Sequence, residues 1–315
     1  MKQRPLRQAQ DRPFKQVDVF TATPYLGNPL AVVLDGSGLD DAAMQRFARW
    51  TNLSETTFLL PPTDPSADYR VRIFTPGGEL PFAGHPTLGS CHSWLQAGGK
   101  PHAQDLIVQE CKVGLIRIRR ELGTQLLAFA APPLLRAAPD PVWLAQVATA
   151  VGLKAPQILA AQLLDNGPMW LGLLLNSVET VLQLAPNHLA LEKLNAKVGV
   201  AAIYPREEAP PLIARANREA RAFAHDAPDS ITDTPDLEVR AFAAAIGINE
   251  DPVTGSLNAS LAQWLIAEGH APERYVASQG VCLGRAGQVH IERDASGQVW
   301  VGGESVTCID GTVTL

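Results

Sequence analysis

The chain has 315 residues, 46% of them hydrophobic and 18% charged, with a formal net charge of −6. That length suits about two domains of ordinary size with cores of normal depth. The acidic balance and the lack of any Lys/Arg run argue against nucleic acid or an anionic membrane surface as partner, and the longest apolar runs, such as "WLGLLL", are far too short to cross a bilayer.

Taken in chain order, "MKQRPLRQAQDRP" is basic and polar without the apolar core of a signal peptide, and reads as a loose tail. "FKQVDVF", "PLAVVL" and "ETTFLL" then alternate branched or aromatic with polar residues, the mark of strands covered on one face. Between them "LDDAAMQRFARWTN" predicts a helix with an acidic start and an apolar face of Leu39, Met44, Phe47 and Trp50. The strand "YRVRIF" leads to a second helix, "HPTLGSCHSWLQAGG", which ends at a Gly pair suited to a C-cap. "LIVQE", "GLIRIRR" and "QLLAFA" follow as strands, and the Pro-rich "AAPPLLRAAPDP" (130–141) marks a junction. Beyond it "SLNASLAQWLIAEGH" predicts a buried helix ending at Gly269. Four cysteines, Cys91, Cys111, Cys282 and Cys308, are scattered without a Cys-x-x-Cys pair, which argues against a zinc cluster or disulfide framework and for a reducing cytoplasm.

One half echoes the other. "GNPLAVVL" resembles "NGPMWLGLLL", "YRVRIFTP" matches "LEVRAFAA", "VQECKVGLIRIRR" recurs loosely as "SQGVCLGRAGQVHIER", and "TQLLAFA" as "GQVWVGG". The matches come in the same order in both halves, which predicts a duplicated unit of many strands and one helix, each unit with its own sheet. The small residues Gly89, Ser90, Ala97, Ala259, Ser260 and Ala262 suit helices wrapped closely by sheet.

In this repeat "PFAGHPTLGS" lines up with "EDPVTGSLNAS". A helix start offers unpaired N–H groups and the positive end of the dipole, and so suits a carboxylate. Pro86 fits the first helical turn, Gly84 lets a ligand approach the backbone, and His85 stands at the cap. Two such starts facing across a cleft predict a small anionic ligand, although Ser, Thr, Gly and Pro at these positions also serve as plain caps. His92 shares a helix face with His85, but no third ligand is near, so no metal site is expected. "GVCLGRAG" lacks the dinucleotide and P-loop spacings.

With "GNPLAVVL", "NLSETTFLL", "RIFTPGGELPFAGHPTLG" and "GINEDPVTGSLNAS" in hand, the chain resembles the PhzF family of phenazine-biosynthesis-type isomerases, which share the diaminopimelate epimerase fold. The likeness runs from about residue 14 to the C-terminus and is weakest at 135–165 and 185–235. It implies an α+β fold of two similar domains, each a barrel-like sheet wrapped round a central helix, with the site in the cleft between them. The domains fall at 14–130, completed by the last strand at 303–315, and at 141–302. It also implies cofactor-independent proton transfer at carbon, of the trans-2,3-dihydro-3-hydroxyanthranilate isomerase type, on a small carboxylate-bearing substrate. Glu55 takes the acid/base role, His85 and Asp251 join it as catalytic residues, and Gly84, Gly255 and Ser256 bind substrate. A homodimer is the candidate assembly.

Epimerase-type racemases of this fold need two thiols, and the positions that correspond are read as Ala83 and Asp251, neither a cysteine. A lone carboxylate still shifts a proton along one face of an allylic system, and Glu55 in the apolar setting of "NLSETTFLL" is expected to have a raised pKa suited to it. The other readings are an amino-acid-type racemase or epimerase using Glu55 with a second group, and a non-catalytic small-molecule-binding homologue. Residue by residue, Glu55 also fits a capping box begun near Asn52, His85 a backbone hydrogen bond, Asp251 a turn and Ser256 an N-cap.

Overall fold

The computed structural model describes residues 10–205 and 235–315. The first nine residues of the expected tail lie outside that range, but Asp11–Pro13 already belong to a strand. Pairing with the C-terminal strand satisfies their backbone, and the buried Arg12 guanidinium donates to the Asp35 carbonyl.

In chain order the first half comprises β1 (Asp11–Val19), β2 (Asn28–Val33), α1 (Asp41–Thr51), β3 (Thr56–Leu60), β4 (Tyr69–Phe74), β5 (Glu79–Leu80), α2 (Gly84–Gln96), β6 (Leu106–Cys111), β7 (Gly114–Arg120) and β8 (Leu127–Ala130). Then come β9 (Leu135–Ala137), α3 (Pro141–Val151), β10 (Ile158–Asp165), β11 (Met169–Leu175), α4 (Val178–Gln183), α5 (His188–Lys193) and β12 (Val198–Ile203). The rest is β13 (Leu237–Ala243), β14 (Ile248–Asp251), α6 (Gly255–Ala267), β15 (Arg274–Gln279), β16 (Gly287–Arg293), β17 (Val299–Gly303) and β18 (Ser305–Thr314).

The two halves repeat one topology. Strands β1, β2, β3, β4, β6, β7 and β8 are neighbours in that order, with β2–β3 and β4–β6 parallel and the other pairs antiparallel. Strands β10, β11, β12, β13, β15, β16 and β17 follow the same order, with β11–β12 and β13–β15 parallel. All four matched sequence segments lie on equivalent strands. The trailing strands cross over: β18 pairs with β1, and β9, inside the Pro-rich junction, pairs with β10.

Separate sheets are not what forms. Pairing of β8 with β17 and of β9 with β10 joins all the strands into one 18-stranded hydrogen-bonded network. The cause is that each half would otherwise end on an open edge, and the two edges satisfy each other.

Within the curve of each half lies its helix. Residues 84–93 of α2 are all buried, and α6 buries Leu257, Ala259, Leu261, Ala262, Trp264 and Leu265. The small residues have the expected purpose: a Cβ on Gly89 would come within 2.7 Å of Leu30 and 2.8 Å of Val19 on the surrounding strands. The other helices cover the outside. On α1, Met44, Phe47 and Ala48 face the sheet, but Trp50 is 80% exposed and stacks on Phe47, because its place on the helix points away from Met44. One helix per half was therefore too few; α3, α4 and α5 pack a separate apolar cluster in the second half.

Candidate active site

Four segments converge where the two halves meet. Asn52, left-handed at φ 55°, ends α1, and the chain turns through Glu55 directly into β3. No helix begins there, so Glu55 is not part of a capping box. Asn28 opens β2, His85 lies in the first turn of α2, and Asp251 ends β14 just before α6 begins at Gly255.

Glu55, His85, Asn28 and Asp251 form a continuous row. Glu55 Oε2 lies 3.3 Å from His85 Nε2, and the two side chains are only 13% and 5% exposed. Neither atom has a well-formed hydrogen bond among the described residues. On the far side of the ring, Nδ1 is 3.3 Å from Asn28 Nδ2. That amide donates to Asp251 Oδ1 at 3.0 Å and to the Val253 carbonyl at 2.8 Å. Asp251 Oδ2 accepts from the Thr254 hydroxyl at 2.6 Å, and Gln279 Nε2 donates to the Asp251 carbonyl at 3.1 Å.

The two carboxyls have unlike surroundings. Burial, with the Asp251 charge adding to it, raises the Glu55 pKa from 4.5 to about 8. Burial also raises Asp251, but the Thr254 and Asn28 donors pull it back, leaving it at about 6. His85 is pushed down to about 3 by burial, against a hydrogen bond to the Pro29 carbonyl that raises it. At neutral pH the row therefore holds a protonated Glu55, a neutral imidazole and a charged Asp251.

The glycines and Ser256 are placed differently from one another. Gly84 and Gly255 abut: a Cβ on Gly84 would lie 2.9 Å from Gly255 Cα. Their small size serves this helix–helix approach, whereas the sequence suggested room for a ligand. Ser256 stands one residue further into α6, its hydroxyl accepting from Trp170 Nε1 at 3.4 Å and its carbonyl from Asn166 Nδ2 at 2.9 Å. The helix starts also correct one correspondence. The N-cap residues are Ala83 and Thr254, so Thr254, not Asp251, is the counterpart of Ala83. Neither carries a thiol. Cys91 is buried within α2, its own thiol pushed up to about 12 by burial. His92 hydrogen-bonds Thr307 Oγ1 at 3.0 Å.

Sequence reasoning singled out neither Asn28 nor Thr254, although both lie in the motifs quoted for the resemblance. Asn28 was legible as a polar residue in an otherwise apolar strand start. Gln279 carries no local signal, since its partners Thr254 and Asn258 come from another element. A cavity of about 680 Å³ lined by Tyr204, Asp236 and His270 lies elsewhere and includes none of these residues.

The phenazine biosynthesis-like protein model, PhzC-PhzF, matches residues 17–311. The chain is 34% identical over 314 residues to antisense-enhancing sequence 1 of Schizosaccharomyces pombe, covering 95% of this chain and 97% of that protein. It is 32% identical to trans-2,3-dihydro-3-hydroxyanthranilate isomerase of Pseudomonas fluorescens, covering 95% and 98%. Among solved structures, a PhzF-family protein of Bacillus anthracis superposes with a TM-score of 0.77 at 21% identity, covering 97% of this chain and all of that one. A predicted epimerase of Pseudomonas aeruginosa superposes with a TM-score of 0.72 at 28% identity, covering 96% and 99%.

Proposed function

The chain belongs to the phenazine biosynthesis-like PhzC-PhzF family, and we propose that it is a cofactor-independent isomerase that moves a carbon-bound proton within a small carboxylate-bearing metabolite, with Glu55 as general acid/base. The relatives named as isomerases support the reaction class. The observation that carries the reading is the contrast between the two carboxyls: Glu55 buried against His85 without a donor, Asp251 held by two. A pair of carboxyls driven apart in this way separates a proton carrier from a fixed charge.

In the ionised form Glu55 takes a proton from a substrate carbon, and the electron pair left behind delocalises toward the substrate carboxylate. Glu55 then returns the proton to another carbon of the same conjugated system. The double bond shifts and nothing is oxidised. The pKa of about 8 keeps both forms of Glu55 within reach near neutrality. His85 aligns the Glu55 carboxyl, and the first-turn N–H groups of α2 and α6, with Ser256, receive the substrate carboxylate. We take 14–130 with 303–315, and 141–302, as the two domains that build this cleft.

Incubating the enzyme in heavy water with a panel of small unsaturated carboxylates, trans-2,3-dihydro-3-hydroxyanthranilate among them, tests the reading. NMR should show double-bond migration with deuterium at the new C–H position and unchanged configuration elsewhere. Inversion at a single carbon without migration would instead establish an epimerase, and no exchange with any member would sink both.

A further inference from the structure

Asn28 belongs to the first half but holds two groups of the second. Its side chain is fully buried, and its Nδ2 lies 2.8 Å from the Val253 carbonyl and 3.0 Å from Asp251 Oδ1. Both neighbours are acceptors, which fixes the amide orientation: the flipped form would set oxygen against oxygen twice. The nitrogen has two hydrogens, and these two shorter contacts use them. None is left for His85 Nδ1 at 3.3 Å. His85 is also hydrogen-bonded to the backbone of Pro29, whose only polar group is a carbonyl, and its Nε2 makes no hydrogen bond among the described residues; the tautomer assigned on these partners has its hydrogen on Nδ1 and the Nε2 lone pair toward Glu55.

Burial disfavours charge on both carboxyls and the charge of Asp251 disfavours charge on Glu55, so near neutral pH the pair holds one proton between its two ends. Donors decide where it goes. Asp251 receives hydrogen bonds on both oxygens, from Asn28 and Thr254, which favour its charged form. Glu55 Oε2 receives none among the described residues and faces an acceptor, the Nε2 lone pair, which suits an O–H. We propose that Asn28 decides which of the two carboxyls holds the shared proton: its amide, reaching across from the other half, keeps the charge on Asp251 and so the proton on Glu55.

Asn28 is thus a positioning residue for the acid/base pair. The proposal rests on the reading of Glu55 as proton carrier. Around the pair stand His85, Thr254 and Gln279; the guanidinium of Arg285, beyond Asn28, is engaged by the Tyr25 and Gly27 carbonyls.

The test needs no substrate. The full-length enzyme is labelled with ¹³C at the Glu and Asp carboxyls, and its NMR spectrum is read at pH 7, with Glu55→Gln and Asp251→Asn assigning the two signals. In the wild type the Glu55 carbon should sit at its protonated position and the Asp251 carbon at its ionised one. In Asn28→Ala both should move toward each other, the ratio of the two protonated forms falling about tenfold, as for loss of one hydrogen bond to a charged group. Asn28→Leu, close in shape and without a donor, should give the same shift and serves if the alanine variant does not fold. A folded variant with both signals unmoved overturns the proposal, as does a wild-type proton on Asp251. Retained turnover in Glu55→Gln would remove the functional reading while leaving this result standing, so the two fail separately.

Discussion

Gly84 and Gly255, the first residues of the two buried helices, meet backbone to backbone. A Cβ on Gly255 would lie 3.0 Å from Gly84 Cα and 3.3 Å from both Gly84 C and His85 N. None of these atoms is the end of a flexible side chain, so the helix starts themselves must part to admit a methyl group. Gly255→Ala should cost about 1–3 kcal/mol of stability, the range for overpacking, and should lower turnover by displacing His85. Denaturant titration and kinetics read both effects. An unchanged unfolding midpoint would show that the contact has slack.

Glu55→Gln keeps shape and hydrogen-bonding capacity but cannot carry the transferred proton. Turnover on a verified substrate should fall by about 10²–10⁴-fold, the usual contribution of general acid–base catalysis, while folding and ligand binding survive. Near-full turnover would end the single-carboxylate mechanism.

Asp251 raises the Glu55 pKa by its charge. Asp251→Asn removes that charge, so ionisation of Glu55 becomes easier and its midpoint, about 8 in the wild type, should move to lower pH. The acidic limb of the kcat/KM profile should move the same way. A limb that stays in place means that another group sets it.

Stability should carry the same signature. Glu55 titrates near 4.5 when unfolded and near 8 when folded, so the folded form binds more protons between those values and loses stability as pH rises through them. Glu55→Gln lacks this loss. Its stability relative to wild type should therefore grow from pH 4.5 to pH 8, by on the order of a few kcal/mol at about 1.4 kcal/mol per pKa unit. His85 titrates near 6.5 unfolded and about 3 folded, so it removes stability as pH falls through that window, the opposite direction to Glu55. Urea unfolding at pH 5 and pH 8.5 measures the gap; a gap that narrows with pH contradicts the assignment.

Arg240 and Glu250 form a buried two-pronged pair at 2.9 and 2.8 Å, with side chains 6% and 9% exposed, next to Asp251 in the chain. Arg240 also donates to the Val181 and Leu184 carbonyls. Arg240→Leu should destabilise by about 3–5 kcal/mol, because it leaves Glu250 buried and unpaired, and Arg240→Met with Glu250→Leu should recover most of that loss. Equal losses in the single and double variants would place the energy in the carbonyl contacts instead.

What could be read in the sequence was what repeats or what is local. Segments such as "YRVRIFTP" and "LEVRAFAA" occupy β4 and β13, and the helices expected in "HPTLGSCHSWLQAGG" and "SLNASLAQWLIAEGH" are observed at Gly84–Gln96 and Gly255–Ala267. Glu55, His85 and Asp251 were visible through short motifs, and the fold does bring them into one row. Helix α3 carries ordinary local signals: the Asp140 cap, Pro141 in the first turn and Gly152 left-handed at the end. Strand β9, three residues of Pro-rich sequence, exists only because β10 lies beside it. Trp50, six residues after Met44, is turned about 120° from it at about 100° per residue, which takes it off the face of Met44, Phe47 and Ala48. The grip of Asn28 on Asp251 spans 223 positions, and no spacing along the chain encodes it.

The crossing of the trailing strands follows a symmetry. Strand β9 follows the first half and joins the first strand of the second; β18 follows the second half and joins the first strand of the first. The equivalent strands β8 and β17 run antiparallel to each other, and the equivalent glycines touch. A two-fold axis imposes these relations on an isologous pair of identical chains that exchange their ends. The single chain repeats this pattern of relations within itself, with the pseudo-two-fold axis passing near the contact of Gly84 with Gly255. Within one chain the two sides need not be identical. Where β3 is preceded by Glu55, β12 is preceded by Lys197, and where α2 carries His85 after its glycine, α6 carries Ser256. The two sides of the pseudo-axis thus present different side chains, which two identical chains could not do.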